Sequence, residues 1–213
     1  MITCLIITDG RAEYLLRMLL SLDPDLFDAR VLIDDSGDPD YGEWLDRIFD
    51  DTETVVLHQH GRQGLVAAVN SAWTYLQETD TDFVFHVEED FVFPTTPPIK
   101  EMIALLEADP TLANIVLKRQ AWNPVEMAAG GIIEANPHLY EDRENYLAHR
   151  EVFSLNPCIY RAEIMGYRMG EAGESDLTTL LVEAGWHFGI FGSRDDFPRC
   201  EHIGARRSVE WTL

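Results

Sequence analysis

From residue 1 to about 118, short apolar runs of strand length are each followed by helical spacing, an alternation that leaves the chain few ways to fold. That order builds a parallel α/β sheet, because parallel neighbours need a crossover long enough to hold a helix. "ITCLIIT" reads as a first strand, and Tyr14, Leu15, Met18, Leu19 and Leu22 put one apolar face on the helix after it. "ARVLIDDSG", "TETVVLHQ", "DFVFHVEEDFVFP" and "LANIVLK" supply four more strands. Leu65, Val69, Ala72, Trp73 and Leu76 share a helical face, and "PPIKEMIALLEADP" is a proline-started helix with Ile99, Met102, Ile103 and Leu106 toward the core.

After Lys118 the pattern breaks. From Arg119 to Arg150 no period is sustained, and Pro124, Gly130, Gly131 and Pro137 interrupt the chain. So long a connection inside a compact domain is usually functional or mobile. Regularity returns with "EVFSLNPCIYR", a helix whose apolar face is Leu177, Leu180, Leu181 and Ala184, and a late strand "GWHFGIFG". The 213 residues and 46% apolar content suit one domain over 1–213.

Composition excludes some partners. A formal charge of −22 repels polyanions, which argues against nucleic acid. The apolar runs fall far short of the roughly 20 residues of a membrane span, so no integral membrane association is expected. The opening "MITCLIITDGR" lacks the basic leader and apolar core of a secretory signal, which predicts a cytoplasmic protein. Cys4, Cys158 and Cys200 have no Cys-x-x-Cys spacing and sit in or beside apolar segments, as free thiols do in a reducing compartment.

In open parallel sheets, ligands bind beyond the carboxyl ends of the strands. The polar clusters fall there: Thr8-Asp9-Gly10-Arg11, Asp34-Asp35-Ser36-Gly37 and Glu88-Glu89-Asp90. Three adjacent carboxylates repel one another unless a divalent cation reverses the sign of that energy; the plain alternative is a solvated strand end that tolerates acids. In an extended segment Glu88 and Asp90 point to one side and Glu89 to the other. Asp34 and Asp35 read either as an ordinary turn or as acceptors for a base and ribose hydroxyls. Gly61-Arg62-Gln63-Gly64 opens a helix, where Arg62 can reach a diphosphate. Glu174, Ser175 and Asp176 stand at another helix start; capping accounts for at least one of them, and Glu174 is a candidate base. His202 is a candidate metal ligand, with a satisfied lone histidine as the alternative.

In this order the pieces resemble the inverting glycosyltransferases of family two and their relatives with the nucleotide-sugar-binding GT-A fold. "IITDGR" is similar to the family's strand ending in Thr-x-Asn-Arg, with Gly10 in place of asparagine, and "LIDDSG" to its Asp-Asp-Gly-Ser with the last two letters exchanged. "GRQGLVAAVNSAW" matches through Gly64, Ala68 and Asn70; "VEED" resembles the metal-holding Asp-x-Asp element, "GESDLTTLLVEAGW" the acidic pair before the catalytic helix, and "EHIG" the late histidine.

The resemblance implies a GT-A fold with a mostly parallel central sheet flanked by helices, with 1–118 as the nucleotide-binding part and 119–213 as the acceptor-binding and catalytic part. It implies Mn2+ or Mg2+ on Glu88, Asp90 and His202, with Glu89 the ligand if the register slides by one. It implies a UDP, GDP or dTDP sugar held by Thr8, Asp9, Arg11, Asp34, Asp35, Arg62, Gly64, Glu88 and Glu89. Glu174 falls on the catalytic-base position, and Gly173 replaces the preceding acid, which leaves Asp176 as substitute. Arg62, Lys118, Arg119 and Arg206 are candidates for positive charge, and Trp122, His138 and Tyr140 for the side facing a protein, glycan or lipid-linked acceptor. Two other readings compete: a sugar nucleotidylyltransferase, and a nucleotide-sugar-binding module without turnover.

Overall fold

The alternating apolar runs become the centre of a nine-stranded sheet in a computed structural model that describes residues 1–204, so Arg206 lies outside the described residues. Strands β1 (Ile2–Thr8), β2 (Ala29–Asp34), β3 (Thr54–His58) and β4 (Phe83–Glu88) pair in parallel in the order β3-β2-β1-β4. Their apolar residues alternate between two cores because both faces are covered. Cys4, Ile6 and Leu32 meet one core; Leu5, Ile7, Val31 and Ile33 meet the other.

On the first face pack α1 (Ala12–Ser21), α2 (Pro39–Phe49) and α4 (Ile99–Ala108), which follows the two-residue strand β5 (Phe91–Val92). On the second packs α3 (Leu65–Leu76), through Ala68, Val69, Ala72, Trp73 and Leu76. Sequence periodicity missed α2. Its signals are local: the Asp38 carboxylate accepts from the Asp40 amide at 3.0 Å, Pro39 opens the helix, and Tyr41, Leu45 and Phe49 are buried one turn apart.

The second half departs further from expectation. After β6 (Leu112–Val116), the stretch expected to lack regular structure contains α5 (Pro124–Ala129), α6 (Ile132–Ala135), β7 (Glu141–Asp142) and β8 (Tyr146–His149). Of "EVFSLNPCIYR", only β9 (Cys158–Arg161) is strand, and it runs antiparallel between β4 and β6. The helix α7 (Glu174–Glu183) buries Leu177, Thr178 and Leu181, whereas Leu180, expected inward, is 43% exposed. The late strand β10 (His187–Phe191) is parallel to β6, and the full order is β3-β2-β1-β4-β9-β6-β10-β8-β7. Only β9 and β8 oppose the common direction, so the sheet is mostly parallel. β11 (Glu201–His202) pairs with β5 in a separate ribbon, which brings His202 beside the end of β4. Cys4, Cys158 and Cys200 are free and buried. No helix among the described residues is long and apolar enough to cross a membrane.

Candidate active site at the strand ends

A cleft of about 1230 Å³ opens where β4 ends, between the start of α3 and the start of α7. Arg62, Gly64, Glu88, Arg119, Ser154 and Glu174 are among its walls. The α3 wall is fixed from below: the buried Asp35 carboxylate accepts from the amides of Gln63 (2.7 Å) and Gly64 (2.8 Å). The first turn of α3 therefore faces the cleft with no side-chain cap on its amides, a setting that favours an anion. Arg62 reaches across by donating to the Asp9 carbonyl at 2.7 Å.

The carboxylate triplet is not extended. The strand stops at Glu88 and the chain turns at Glu89 and Asp90, so the extended geometry expected for the triplet ends at Glu88, while the Asp90 charge still acts on the Glu88 carboxyl. Glu88 lines the cleft, its carboxyl pushed well up by burial and then by the charges of Asp90 and Glu174. Glu89 is buried and accepts from the Thr8 hydroxyl and from Arg11 Nε (2.6 Å). Asp90 accepts from Arg11 Nη2 at 2.8 Å, and Arg11 Nε also meets Asp9 at 2.9 Å. One guanidinium thus serves three carboxylates.

His202 Nε2 lies 3.5 Å from Asp90 Oδ2, with Trp122 and Phe91 against its ring at 3.9 and 4.7 Å between centroids. Among the described residues, no group of three or more His, Cys, Asp or Glu side chains is disposed to hold a metal ion. Two features still suit a cation: Asp90 Oδ1 is buried with no hydrogen-bond partner among the described residues, and Glu88 has more negative than positive charge around it. Hard oxygen donors with one imidazole match Mn2+ or Mg2+.

Glu174 lines the other wall. It accepts from the Leu155 amide at 2.5 Å, and burial pushes its carboxyl up against the opposing pull of the Leu155 amide and Ser154. Asp176 faces away into its own loop, accepting from the Ala172 amide at 2.9 Å. Thr8 is buried against Tyr41 (2.6 Å) as well as Glu89, and Asp34 accepts from the Ser36 amide and His58 Nδ1, both at 2.9 Å. These side chains shape the loops and spend their polar atoms doing so. Lys118 donates to the Arg194 carbonyl, and Arg119 pairs with Glu126 at 2.7 Å while still lining the cleft. His138 is exposed, outside the cleft walls.

Sequence reasoning did not single out Ser154 and Asn156, which line the cleft from the loop before β9. Their signal is the Ser-Leu-Asn-Pro cluster inside a segment otherwise read as regular. The importance of Asn70 becomes clear only in three dimensions: its amide binds Met169 through both backbone groups, at 2.9 and 3.0 Å, and ties α3 to the loop that delivers Glu174.

No protein-family model matches the chain, and no curated protein matches it. Solved structures do. The mannosyltransferase PcManGT from Pyrobaculum calidifontis, in complex with GDP-Man and Mn2+, is 16% identical over 97% of this chain and 58% of its own, with TM-score 0.64. GalNAc-T7 with UDP, GalNAc and Mn2+ is 14% identical over 98% of this chain and 44% of its own, with TM-score 0.65. S. aureus TarS 1–349 is 13% identical over 95% and 60%, with TM-score 0.63. This chain therefore spans between 44% and 60% of those chains. At these identities the likeness shows the fold, which is that of GT-A glycosyltransferases.

Proposed function

We propose that the protein is a glycosyltransferase that moves a sugar from a nucleoside diphosphate to an acceptor hydroxyl, with a divalent cation and inversion at the anomeric carbon. The observation that carries this reading is that Glu88 and Glu174, from distant parts of the chain, line one cleft at the strand ends of a GT-A fold. Their nearness is felt in the Glu88 carboxyl, which the Glu174 charge helps to raise.

Each wall has a task. The N-terminal amides of α3 and the Arg62 guanidinium suit a diphosphate, so residues 1–118 form the donor side. Glu88, Asp90 and His202 would hold Mn2+ or Mg2+, which when bound offsets the charge of the departing diphosphate. Glu174, fixed by the Leu155 amide and raised by burial, takes the proton of the attacking hydroxyl. Arg119, Ser154 and Asn156 face the acceptor, a hydroxyl of a protein, a glycan or a lipid-linked sugar. Asp34, Asp35 and Thr8 act on the nucleoside by setting the loops that surround it. Three buried free thiols support a reducing, cytoplasmic setting.

The test is release of nucleoside diphosphate from a panel of UDP, GDP and dTDP sugars with Mn2+ and candidate acceptors. One donor turns over, chelator suppresses it, and Glu174→Gln binds that donor normally while slowing turnover about 10²- to 10⁴-fold. Unchanged turnover in Glu174→Gln rejects the base. A binding module without turnover draws on one observation, the guanidinium of Arg11 already among the carboxylates. Binding of a nucleotide sugar with no release in any arm selects that reading.

A further inference from the structure

A second, smaller cavity lies beside the large cleft. Arg119, Ser154 and Asn156 also belong to its wall, which encloses about 50 Å³, so the two spaces meet at these side chains. The remaining wall is largely aliphatic, built by Val116, Ile132, Val152 and Ile190 among others. Lys118, Tyr140 and His149 break that character, and the Lys118 ammonium is already taken up by the Arg194 carbonyl at 2.7 Å and by Glu134 at 3.6 Å. His149, on β8, lines the cavity, is only 7% exposed, and has neither ring nitrogen paired among the described residues. Tyr140, also lining the cavity, stands edge-on to its ring at 5.2 Å. A leucine would fill such a place without leaving polar atoms unmet, so the packing of β8 gives no reason for an imidazole.

The cavity's dimensions narrow what could enter. It is several times the roughly 10–15 Å³ that one water needs and well under the about 150 Å³ of a cavity that takes benzene. That leaves a group of a few heavy atoms. The aliphatic wall asks for an apolar end, and His149 asks for one polar atom that can donate or accept.

We propose that this side cavity receives the acetamido group of a 2-acetamido sugar and that His149 is the residue that selects it, an inference that rests on the glycosyltransferase reading of the main cleft. The methyl packs on Val152 and Ile190, and the amide meets the imidazole through its N–H or its carbonyl according to the tautomer. Burial holds His149 down to about 4, so the ring is neutral at pH 7 and can serve either way. A hydroxyl in the same place leaves the aliphatic wall against water. The cavity adjoins the cleft at Arg119, Ser154 and Asn156, the side given to the acceptor, so an acetamido acceptor is the source the placement favours and a donor sugar is the outcome the nucleotide arm tests.

Saturation-transfer NMR on the full chain separates these sources. One arm compares free N-acetylglucosamine with glucose; the other compares UDP-N-acetylglucosamine with UDP-glucose in the presence of Mg2+. The acetamido methyl should take the strongest saturation, with affinity at least about tenfold above the hydroxyl counterpart, in the free-sugar arm for an acceptor and in the nucleotide arm for a donor. Val152→Phe, which fills the cavity, and His149→Leu should each erase that preference without lowering the melting temperature of the protein at pH 7 by more than a few degrees. Equal binding of acetamido and hydroxyl sugars in both arms, or a preference that survives both variants, overturns the proposal. Titration of UDP, GDP and dTDP in the same samples keeps the two readings apart. Failure of all three diphosphates with a surviving acetamido preference sinks the transferase and leaves the side cavity standing; diphosphate binding without the preference does the reverse.

Discussion

Arg11 sets what the carboxylate cluster can do. Its guanidinium meets Asp9, Glu89 and Asp90 at 2.6–2.9 Å, and its side chain is 22% exposed. Removing one partner of a buried charge group strands the others, so Arg11→Ala should lower stability by about 3–5 kcal/mol, read as the denaturation midpoint. Arg11→Lys should recover only part, because one ammonium cannot reproduce a fork that holds separate carboxylates. Equal stability of all three proteins would show that the cluster carries no net charge strain. Two of the departures from the motifs that the sequence resembles, at Gly10 and Gly173, fit the backbone there. Gly10 has φ +102° and a side chain there would sit 3.0 Å from Ser36 Cβ, while Gly173 has φ +62°, so asparagine or an acid at these places is disfavoured by conformation. The motif letters were legible in the sequence; the reason for the two changed letters was not.

Among the elements, β1, β2 and β4 with α3 and α4 were readable because strands buried on both faces form unbroken apolar runs and the helices keep one apolar stripe. The regularity of the stretch that holds β9 was readable but its position in the sheet was not, since that depends on pairing with Phe83–Val84–Phe85–His86 and with Asn114–Ile115–Val116, far away in sequence. The turn within the triplet was not readable for a related reason: an alternation rule holds only while the strand continues, and β4 ends at Glu88. Strands β4 and β8 each bury an imidazole. Burial holds His86 down to about 3, and burial with the nearby His187 charge holds His149 down to about 4. Both folded values lie below the ordinary value near 6.5, so folding favours the neutral rings. The stability they confer is complete above about pH 6.5 and is lost as pH falls toward 4 and then 3. The raised carboxyls of Glu88, Glu89 and Glu174 pull the other way over the same range, so the reading is a difference: from pH 7 to pH 5 the urea midpoint of the wild type should fall relative to that of His149→Leu, and an identical pH profile in that variant contradicts the assignment.

At the scale of the whole molecule, the charge of −22 is spread over a fold that must stay compact. Self-repulsion weakens as salt shortens the Debye length from about 30 Å at 0.01 M to about 8 Å at 0.15 M. The melting temperature should therefore rise by several degrees over that range, and a flat response would show the charges to be locally balanced. The cleft is assembled from segments near residues 64, 88, 119, 155 and 174, and the sequence marked those whose residue types are unusual for their element, Glu88 and Glu174 above all. Ser154 and Asn156 look like any loop, and only the sheet order brings them there.

The central claim is that this cleft takes a nucleoside diphosphate together with a divalent cation. Titration calorimetry with UDP, GDP and dTDP, each with Mn2+ and again in chelator, on the wild-type protein and Asp90→Asn, tests it most directly. One diphosphate should bind at least about tenfold tighter with Mn2+, and Asp90→Asn should lose the difference. Binding of none of the three, or the same affinity in Mn2+ and in chelator, would contradict it.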